Sequence, residues 1–374
     1  MSDQPTPHVS AMEGGGEYGR HSRIPAAGGG LAIPLLEEAA QRVALDAGDR
    51  PIVIADYGSS DGMNSLAPMR AAIAVLRKRV GRARPILVCH TDLPGNDFST
   101  LFGLIANDPG SYALDDAMIF PYAVGRSFYQ SVFPPGHVDL GWSSYAAVWL
   151  SRLPAEIPDH IFIPRCSARI RTEFDRQAEL DWEAFLALRA AEMRPGGRLV
   201  VALPSLDHDG STAFAPVMDH ALAVLEQLVG VGAITAEERS RMMIGAYPRR
   251  ERDLLAPFAA NGEFRGLTVE HISTLVPQDV AWADYERDGD AMALAGKRAR
   301  FFRVVFAPTL SQALSPSRSD GDRRTFADRL EEGMRQRISQ VPAKLDHLVG
   351  IIALAKQDSR IGTPTATTND ISAS

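Results

Sequence analysis

The chain has 374 residues, of which 45% are hydrophobic and 23% are charged, so it can bury a large globular core. Its formal charge of −7 argues against a nucleic-acid partner, because binding of phosphates requires clustered lysine and arginine. Only two cysteines are present, Cys89 and Cys166, which excludes a disulfide framework and a cysteine-based zinc site; we expect no metal.

The N-terminal residues 1–30 are polar and rich in glycine and proline. They predict a flexible segment, for which a lid over a ligand is the functional interpretation. We see neither a signal peptide nor an apolar run long enough to cross a bilayer, and we expect a soluble, cytoplasmic protein.

Strand and helix signals alternate from residue 31 to residue 204. The predicted helices are 31–47, 64–80 and 181–193, and the last of them ends at Pro195-Gly196-Gly197. The predicted strands are 52–56, 86–90, 119–124, 138–142, 160–163 and 198–203. This alternation predicts an α/β fold with a parallel, doubly wound sheet.

The pattern changes after Ser205, where helical stretches follow one another to about Lys297 without clear strands. We interpret this part as an inserted, mostly helical cap. Residues 301–306 are ambiguous between strand and helix, 325–355 are predicted to be mostly helical, and the tail from Gln357 is predicted to be disordered.

The most informative stretch is IVIADYGSSDGMN, residues 52–64, an apolar strand followed by a glycine loop and a helix. Its GSSDG segment matches G-x-S-x-G, in which Ser60 would be the nucleophile of a hydrolase. Such an enzyme also needs an acid and a histidine. The candidates are Asp207 or Asp253 for the acid and His271 or His347 for the base.

The second interpretation of the same loop is a cofactor site. Gly58 and Gly62 allow close approach of the backbone to a ligand, and Asp92 ends the next strand, where it can bind ribose hydroxyls. No G-x-G-x-x-G is present, so a cofactor with adenosine but no phosphates is favoured. Asp56 and Asn64 are placed to hold a charged amino-acid end, which makes S-adenosylmethionine the best candidate.

Three further blocks accompany the loop, HTDLPGNDFSTLF (90–102), GRSFYQSVFPP (125–135) and WSSYAAVWLSRLP (142–154). Together and in this order they resemble the plant-type SABATH carboxyl methyltransferases, which methylate small acids such as salicylate, jasmonate or indole-acetate. The resemblance implies a Rossmann-like class I methyltransferase sheet, S-adenosylmethionine as cofactor, a small-molecule carboxylic acid as substrate, and a homodimer.

The resemblance also implies roles for individual residues. Those that match cofactor-binding positions are Ser22, Asp56, Gly58, Asn64, Asp92, Leu93, Ser127 and Phe128. Those that match substrate-facing positions are Tyr145, Val148, Trp149, Val217, Met218 and Tyr247. Tyr145 and Trp149 are the residues expected to position the acid for direct displacement, without a general base.

Several departures from the family pattern are visible. Glu13 stands where the family's start motif has lysine, and Pro25 stands where plant members commonly place a carboxylate-binding glutamine. These departures leave open a member that binds the cofactor without turnover. Met218 in place of a tryptophan predicts a flexible apolar channel and an aliphatic acid, including fatty acids, rather than salicylate.

The resulting domain prediction has five parts. These are a lid segment at 1–30, a cofactor-binding core at 31–204, a helical substrate cap at 205–300, a C-terminal completion of core and cap at 301–356, and a tail at 357–374.

Overall fold

The computed structural model describes residues 12–357, and within them one mixed sheet of eight strands forms the centre of the molecule. The strands are β1 (Ile52–Tyr57), β2 (Ile86–Asp92), β3 (Ile119–Gly125), β4 (Val138–Ser144), β5 (Met193–Ser205), β6 (Glu263–Phe264), β7 (Leu267–Leu275) and β8 (Leu348–Lys356). Their order in the sheet is β3-β2-β1-β4-β5-β8-β7-β6. The first five strands in this order are parallel, whereas β8 is antiparallel to both of its neighbours.

Helices cover both faces of the sheet and extend beyond one end of it. They are α1 (Glu17–His21), α2 (Arg23–Gly30), α3 (Ile33–Arg42), α4 (Met63–Val80), α5 (Phe98–Asn107), α6 (Ala168–Glu192), α7 (Ala215–Gly230), α8 (Ala236–Ser240), α9 (Glu251–Leu255), α10 (Val280–Asp288), α11 (Ala291–Gln312) and α12 (Asp320–Gln340).

The central strand β1 packs against core on both of its faces, which explains its apolar sequence. Successive side chains of a strand point to opposite faces, so Ile52 and Ile54 pack in one core cluster with α3 and α4. Val53 and Ala55 pack in another cluster with Trp182 of α6. Both faces of β1 are therefore buried, as expected for a parallel strand in a doubly wound sheet.

A third core lies outside the sheet and forms the helical cap. Met218 of α7, Phe302 of α11 and Met334 of α12 belong to one buried cluster. Residues 301–306, which the sequence left ambiguous between strand and helix, are helical. Phe302 and Phe306 pack on this cluster from successive turns of α11.

Two predictions about the C-terminal half are wrong. The interval 205–297 contains β6 and β7, and 325–355 contains most of β8, so the sheet is mixed rather than wholly parallel. The β8 segment is a continuous apolar run, and periodicity alone does not distinguish such a run from a buried helix. In β7 most side chains are only half-buried, which weakens the hydrophobic signal.

Three local predictions also need correction. Residues 160–163 form an isolated bridge, Phe162 with Ile244, and the start of a 3₁₀ turn, not a strand. Helix α6 begins at Ala168 rather than at residue 181. Residues 195–197 do not form a loop between α6 and β5, because they lie inside β5, where the pairing register with β4 shifts.

The N-terminal prediction falls partly outside the described residues. Residues 12–30 contain the two short helices α1 and α2, whereas residues 1–11 are not described. The predicted tail, apart from Gln357, is likewise outside the described range.

Candidate active site

A cavity of about 600 Å³ opens at the carboxyl ends of β1, β2, β3 and β4, beneath the cap. Its polar part is lined by residues that include Gly58, Ser60, Asp61, Asp92, Asn96 and Ser127. Its apolar part is lined by residues that include Val148, Trp149, Phe162, Phe214, Met218 and Phe306. Ligands of open α/β sheets bind at this edge, so the cavity is the candidate active site.

The loop after β1 approaches the loop after β4 without space for a side chain. Gly58 has a φ of 88°, and a Cβ at this position would lie 2.1 Å from the Cβ of Ala146. Only glycine satisfies both constraints, because other residues rarely adopt this φ and would clash. The glycine is therefore explained by the packing of these two loops, and its predicted contact with a ligand stays a prediction.

Asp92 lies at the end of β2, in the cavity wall, as the sequence predicted. Its Oδ2 accepts a hydrogen bond from the backbone N–H of Ser60 at 2.7 Å, and its Oδ1 accepts one from Leu93 at 2.8 Å. Burial raises the pKa of Asp92 to about 6, and the two backbone donors oppose that shift. The carboxylate is thus held in a fixed orientation, with its remaining lone pairs free to accept from a ligand.

Asp56 is buried beneath the cavity rather than lining it. Its Oδ2 accepts from the Ser65 hydroxyl at 2.6 Å and lies 2.8 Å from Nδ1 of His90. The other ring nitrogen of His90 lies 2.8 Å from the hydroxyl of Tyr112. Asp56 is therefore the acceptor of a buried network, a role that sequence reasoning did not include.

Ser22 and Asn64 contact each other directly. The amide of Asn64 donates to the hydroxyl of Ser22 at 2.9 Å, so α4 is joined to the turn between α1 and α2. Both residues lie beside the cavity and do not line it. Ser127 and Phe128 do line it, and the Phe128 ring packs against Tyr129 with ring centroids 4.8 Å apart.

Tyr145 follows β4 in a left-handed conformation, with a φ of 57° that is unusual for a bulky residue. Its backbone N–H donates to the carbonyl of Ala202 at 2.8 Å, which holds this conformation. Its hydroxyl lies 3.0 Å from Nε2 of His347. Backbone strain of this kind concentrates at functional sites, and the Tyr145 side chain lines the cavity.

Trp149 lines the cavity with its ring 6.0 Å from that of Phe306. Its carbonyl accepts from the hydroxyl of Tyr129 at 2.7 Å, while its indole N–H has no partner among the described residues. Val148 and Met218 line the same part of the cavity. These predicted substrate residues are brought together by the fold.

Two predicted substrate residues are not brought to the cavity. Val217 points into the core of the cap, and Tyr247 packs in a separate cluster, where its hydroxyl donates to Asp175 at 2.6 Å. On a helix one position of offset rotates a side chain by about 100°, so Met218 lines the cavity and Val217 does not. Sequence reasoning missed Tyr18, Phe214 and Phe301, which also line it.

The residues proposed for a serine hydrolase are not brought together. Ser60 has a φ of 49° and lines the cavity, but its contacts are made by its backbone, to Asp92 and Asn96. The ring of His271 bonds to Ser273, and His347 bonds to Tyr145. No histidine in the described part of the chain contacts Ser60, so the structure contains no triad around it.

The segment from residue 12 to residue 30 closes one side of the cavity. Glu13 is paired with Arg303 at 3.3 Å and Glu17 with Arg300 at 2.6 Å, both arginines being on α11. The backbone N–H of Gly19 donates to Oδ2 of Asp61 at 2.7 Å. The segment is thus fixed both to the cap and to the loop after β1. The carboxyl of Glu17 has its pKa lowered to about 2 by Arg20 and Arg300.

The charges around the cavity have one sign. Among the described residues that line it, Glu13, Asp61, Asp92 and Asp97 are acidic, and none is arginine, lysine or histidine.

The described residues contain no group of three or more histidine, cysteine, aspartate or glutamate side chains able to hold a metal ion. In the same part of the chain, no helix has the length and apolarity needed to span a bilayer.

The sheet order, with one antiparallel strand next to five parallel ones, and the cavity at their carboxyl ends define a class I methyltransferase fold. The sequence profile of the family described as SAM dependent carboxyl methyltransferase matches residues 6–356. The chain belongs to this family and is an S-adenosylmethionine-dependent carboxyl O-methyltransferase. The family predicted from the sequence blocks is thereby confirmed.

Relatives and a solved structure agree with this assignment. The chain is similar to the salicylate carboxymethyltransferase of Clarkia breweri, with 28% identity over 81% of this chain and 86% of that protein. It is 25% identical to gibberellic acid methyltransferase 2 of Arabidopsis thaliana, over 83% and 86% of the two chains. A structure of loganic acid methyltransferase with SAH has a TM-score of 0.76 at 21% identity, covering 94% of this chain and all of that one. The similarity to this solved structure shows that the two chains share a fold.

The donor set in the polar part of the cavity is suited to S-adenosylmethionine, the cofactor of the family. Asp92 offers carboxylate lone pairs for hydroxyl groups, and Gly58, Ser127 and Phe128 line the same part of the cavity. The acidic residues that line the cavity favour a cationic ligand.

Proposed function

We propose that this protein transfers a methyl group to the carboxylate of an apolar, aliphatic monocarboxylic acid. The observation that carries the proposal is the apolar part of the cavity, in which the indole N–H of Trp149 has no hydrogen-bond partner within residues 12–357. A single neutral donor is suited to one carboxylate oxygen and leaves the rest of the substrate in apolar contact.

We assign the cofactor to the polar part. Asp92 would hold the ribose, Leu93, Ser127 and Phe128 would surround the adenine, and Gly58 would lie against the ligand. We assign Ser22, Asp56 and Asn64 to positioning of the methionine end, because they lie beside or beneath the cavity and fix its wall. When bound, this cofactor supplies an electrophilic methyl group on a sulfonium.

The acid needs no general base. Carboxylic acids have pKa values of about 4–5, so the nucleophilic carboxylate is already ionised at neutral pH. The contribution of the protein is then alignment of the carboxylate and exclusion of water. Trp149 provides the alignment through its N–H, and Pro25, Phe301 and Val305 provide apolar walls around the reactants.

The size and shape of the cavity favour a substrate of medium length. The volume of about 600 Å³ includes the space for the cofactor, so only part of it is left for the acid. Met218 is unbranched and adapts to a flexible chain, whereas a flat aromatic ring is better held between rigid walls. The relatives named above act on salicylate and gibberellic acid, and we propose a different substrate for this chain because Met218 and Pro25 depart from the family pattern.

A methyl-transfer screen tests this function. Radiolabelled S-adenosylmethionine is incubated with the protein and a panel of acids from butanoate to hexadecanoate, together with benzoate and salicylate. We expect the highest kcat/KM for aliphatic acids of about eight to ten carbons, the length that suits the apolar volume. Faster methylation of benzoate or salicylate than of octanoate would contradict the substrate class. Absence of methyl transfer to every acid, with intact cofactor binding, would contradict the function itself.

We also propose a homodimer that operates in the cytoplasm. Helix α10 has no buried residues, and the rings of Trp282 and Tyr285 pack against each other on it, with centroids 5.0 Å apart and planes tilted by 48°. Val280 of α10 and Met292 of α11 are further exposed hydrophobic side chains in this part of the molecule. Light scattering coupled to size-exclusion chromatography should give the mass of two chains, and Trp282→Glu should give the mass of one.

A further inference from the structure

The hydroxyl of Tyr145 has one hydrogen-bond partner in the described part of the chain, the ring of His347, at 3.0 Å. His347 is 4% exposed, and its ring packs edge-on against Phe214, with centroids 5.4 Å apart. Phe214 itself lines the cavity. His347 therefore lies directly behind two cavity residues, and the proposed function gives it no role.

The direction of the hydrogen bond follows from the other contact of the ring. His347 also bonds to the backbone of Leu345, and this contact favours the protonated ring. Such a contact is a ring N–H donated to a carbonyl, and a neutral imidazole has only one N–H. Nε2 faces the Tyr145 hydroxyl at 3.0 Å, so in the tautomer with the proton on Nδ1 it accepts a hydrogen bond from that hydroxyl.

The surroundings keep the ring neutral near pH 7. Burial lowers the pKa of His347 below its ordinary value, and the carboxylates of Asp279 and Asp346 oppose this shift. Asp279 is paired with Arg298 at 2.6 Å and Asp346 with Lys344 at 2.8 Å, so neither faces the ring as an isolated charge. On the cavity side, Tyr18 interacts electrostatically with Tyr145, and burial raises the pKa of Tyr18, so it is also neutral.

We propose that His347 is a positioning residue that holds the proton of Tyr145 away from the cavity, so that the Tyr145 oxygen presents only lone pairs to the reactants. An oxygen in this state attracts a sulfonium and repels a carboxylate. This inference rests on the proposed function and deepens it. Trp149 is the donor to the acid, whereas Tyr145 is an acceptor that favours the cationic cofactor over its neutral demethylated product.

The place of Tyr145 in the cavity supports this division. The next residue, Ala146, packs against Gly58 of the cofactor loop, and Trp149 lies in the apolar part. The Tyr145 hydroxyl also lies against Gly28 of α2, where a Cβ would be 2.0 Å from its oxygen. Tyr145 thus lies where the two parts of the cavity meet, which is where the methyl group must pass from one ligand to the other.

Calorimetric titration without any acid tests the proposal. The measured quantity is the ratio of the dissociation constant of S-adenosylhomocysteine to that of S-adenosylmethionine, at pH 7.5. We expect Tyr145→Phe and His347→Leu each to lower this ratio by about three- to tenfold, the range for loss of one ordinary hydrogen bond. We expect the double variant to lower it no further, because both changes remove the same contact.

Two further variants separate positioning from folding. His347→Gln retains an acceptor for the Tyr145 hydroxyl, and we expect it to restore the ratio to within about twofold of the unmodified protein. His137→Gln is the control, because His137 lies at the opposite end of β4, where its ring stacks on Phe133. It should leave the ratio unchanged. Thermal unfolding of each variant verifies that the protein is folded.

Equal weakening of both ligands by His347→Leu, with an unchanged ratio, would contradict the proposal and indicate a purely structural role. Multiplicative effects in the double variant would contradict it as well, because the two residues would then act independently. Since no acid is present, the result does not depend on the substrate. Failure of the proposed function would appear differently, as normal cofactor discrimination without methyl transfer to any acid of the panel.

Discussion

A methyl group at Gly28 would lie 2.0 Å from the hydroxyl oxygen of Tyr145. Gly28 lies in α2, in a run of three glycines, and alanine is favoured over glycine in a helix. The glycine is therefore explained by the packing of Tyr145 and not by the helix. We predict that Gly28→Ala displaces the Tyr145 side chain and lowers kcat/KM by about tenfold or more, as for a small misplacement in an active site.

Gly30→Ala is the matched control for this prediction. Gly30 ends the same run of glycines, and a Cβ there would meet no atom within 4 Å. Steady-state kinetics with the best acid of the panel should show a change within twofold for Gly30→Ala. Equal losses in the two variants would mean that the helix, and not Tyr145, requires glycine.

A second prediction concerns Asp56, whose carboxylate is shared by Ser65 and His90. Asp56→Ala leaves both buried partners without their acceptor, so we expect the free energy of unfolding of the cofactor-free protein to fall by about 3 kcal/mol. Urea denaturation measures this change. Asp49→Ala, at an exposed position before β1, should have little effect on the same measurement. An unchanged midpoint for Asp56→Ala would show that the network contributes little to stability.

The positions of Gly58 and Asp92 could be predicted from the sequence for a simple reason. Parallel strands place their carboxyl ends at one edge of the sheet, so residues that end neighbouring apolar runs must meet there. The sequence blocks around Asp92, Tyr145 and Trp149 then indicated the family. For these residues, local pattern and tertiary position are directly connected, and no knowledge of the cap is needed.

The contacts of His347 and Tyr247 could not be predicted in this way. His347 is 202 residues from Tyr145 in the chain, and its place depends on the turn that precedes β8, a strand that was mistaken for helix. Tyr247 lies in a segment with little regular structure, so no periodicity fixes the direction of its side chain. Residues of the cap and of its connections depend on long-range packing, which a local pattern does not encode.

A third prediction concerns pH. Because the pKa of Asp92 is raised to about 6, its carboxylate is ionised above that pH and protonated below it. Protonation removes acceptor capacity for ribose hydroxyls, so the affinity for S-adenosylmethionine should fall as the pH decreases through about 6. In Asp92→Asn the affinity should be low at pH 7.5 and nearly independent of pH. Calorimetric titration between pH 5 and pH 8 distinguishes the two profiles.

The raised pKa of Asp92 also has a consequence for stability, of the opposite sign. Its folded-state pKa lies above the ordinary value of 3.8, so the folded protein binds more protons between these values than the unfolded chain. The contribution of Asp92 to the stability of the cofactor-free protein therefore increases as the pH falls through about 6. Asp92→Asn should remove this part of the pH dependence in urea denaturation, and a profile identical to that of the unmodified protein would contradict the assignment.

A fourth prediction isolates the indole N–H of Trp149. Trp149→Phe retains an aromatic ring against Phe306 but removes the donor. We expect KM for the acid to rise by about tenfold, the usual effect of losing one hydrogen bond to a charged group. The dissociation constant of S-adenosylmethionine should stay within twofold, because Trp149 lies in the apolar part of the cavity. An unchanged KM would show that another group binds the carboxylate.

The final prediction is that the positive charge of the cofactor strengthens binding of the acid. The described residues that line the cavity include four acids and no basic side chain, so an acid substrate entering the cavity without cofactor meets no positive charge. A sulfonium about 4 Å from the carboxylate would contribute about 4 kcal/mol at an effective dielectric constant of 20. Octanoate should therefore bind measurably to the complex with the cationic analogue sinefungin, and at least about tenfold more weakly to the complex with neutral S-adenosylhomocysteine. Equal affinity for both complexes would show that the protein itself, through a group such as a helix terminus, balances the charge of the substrate.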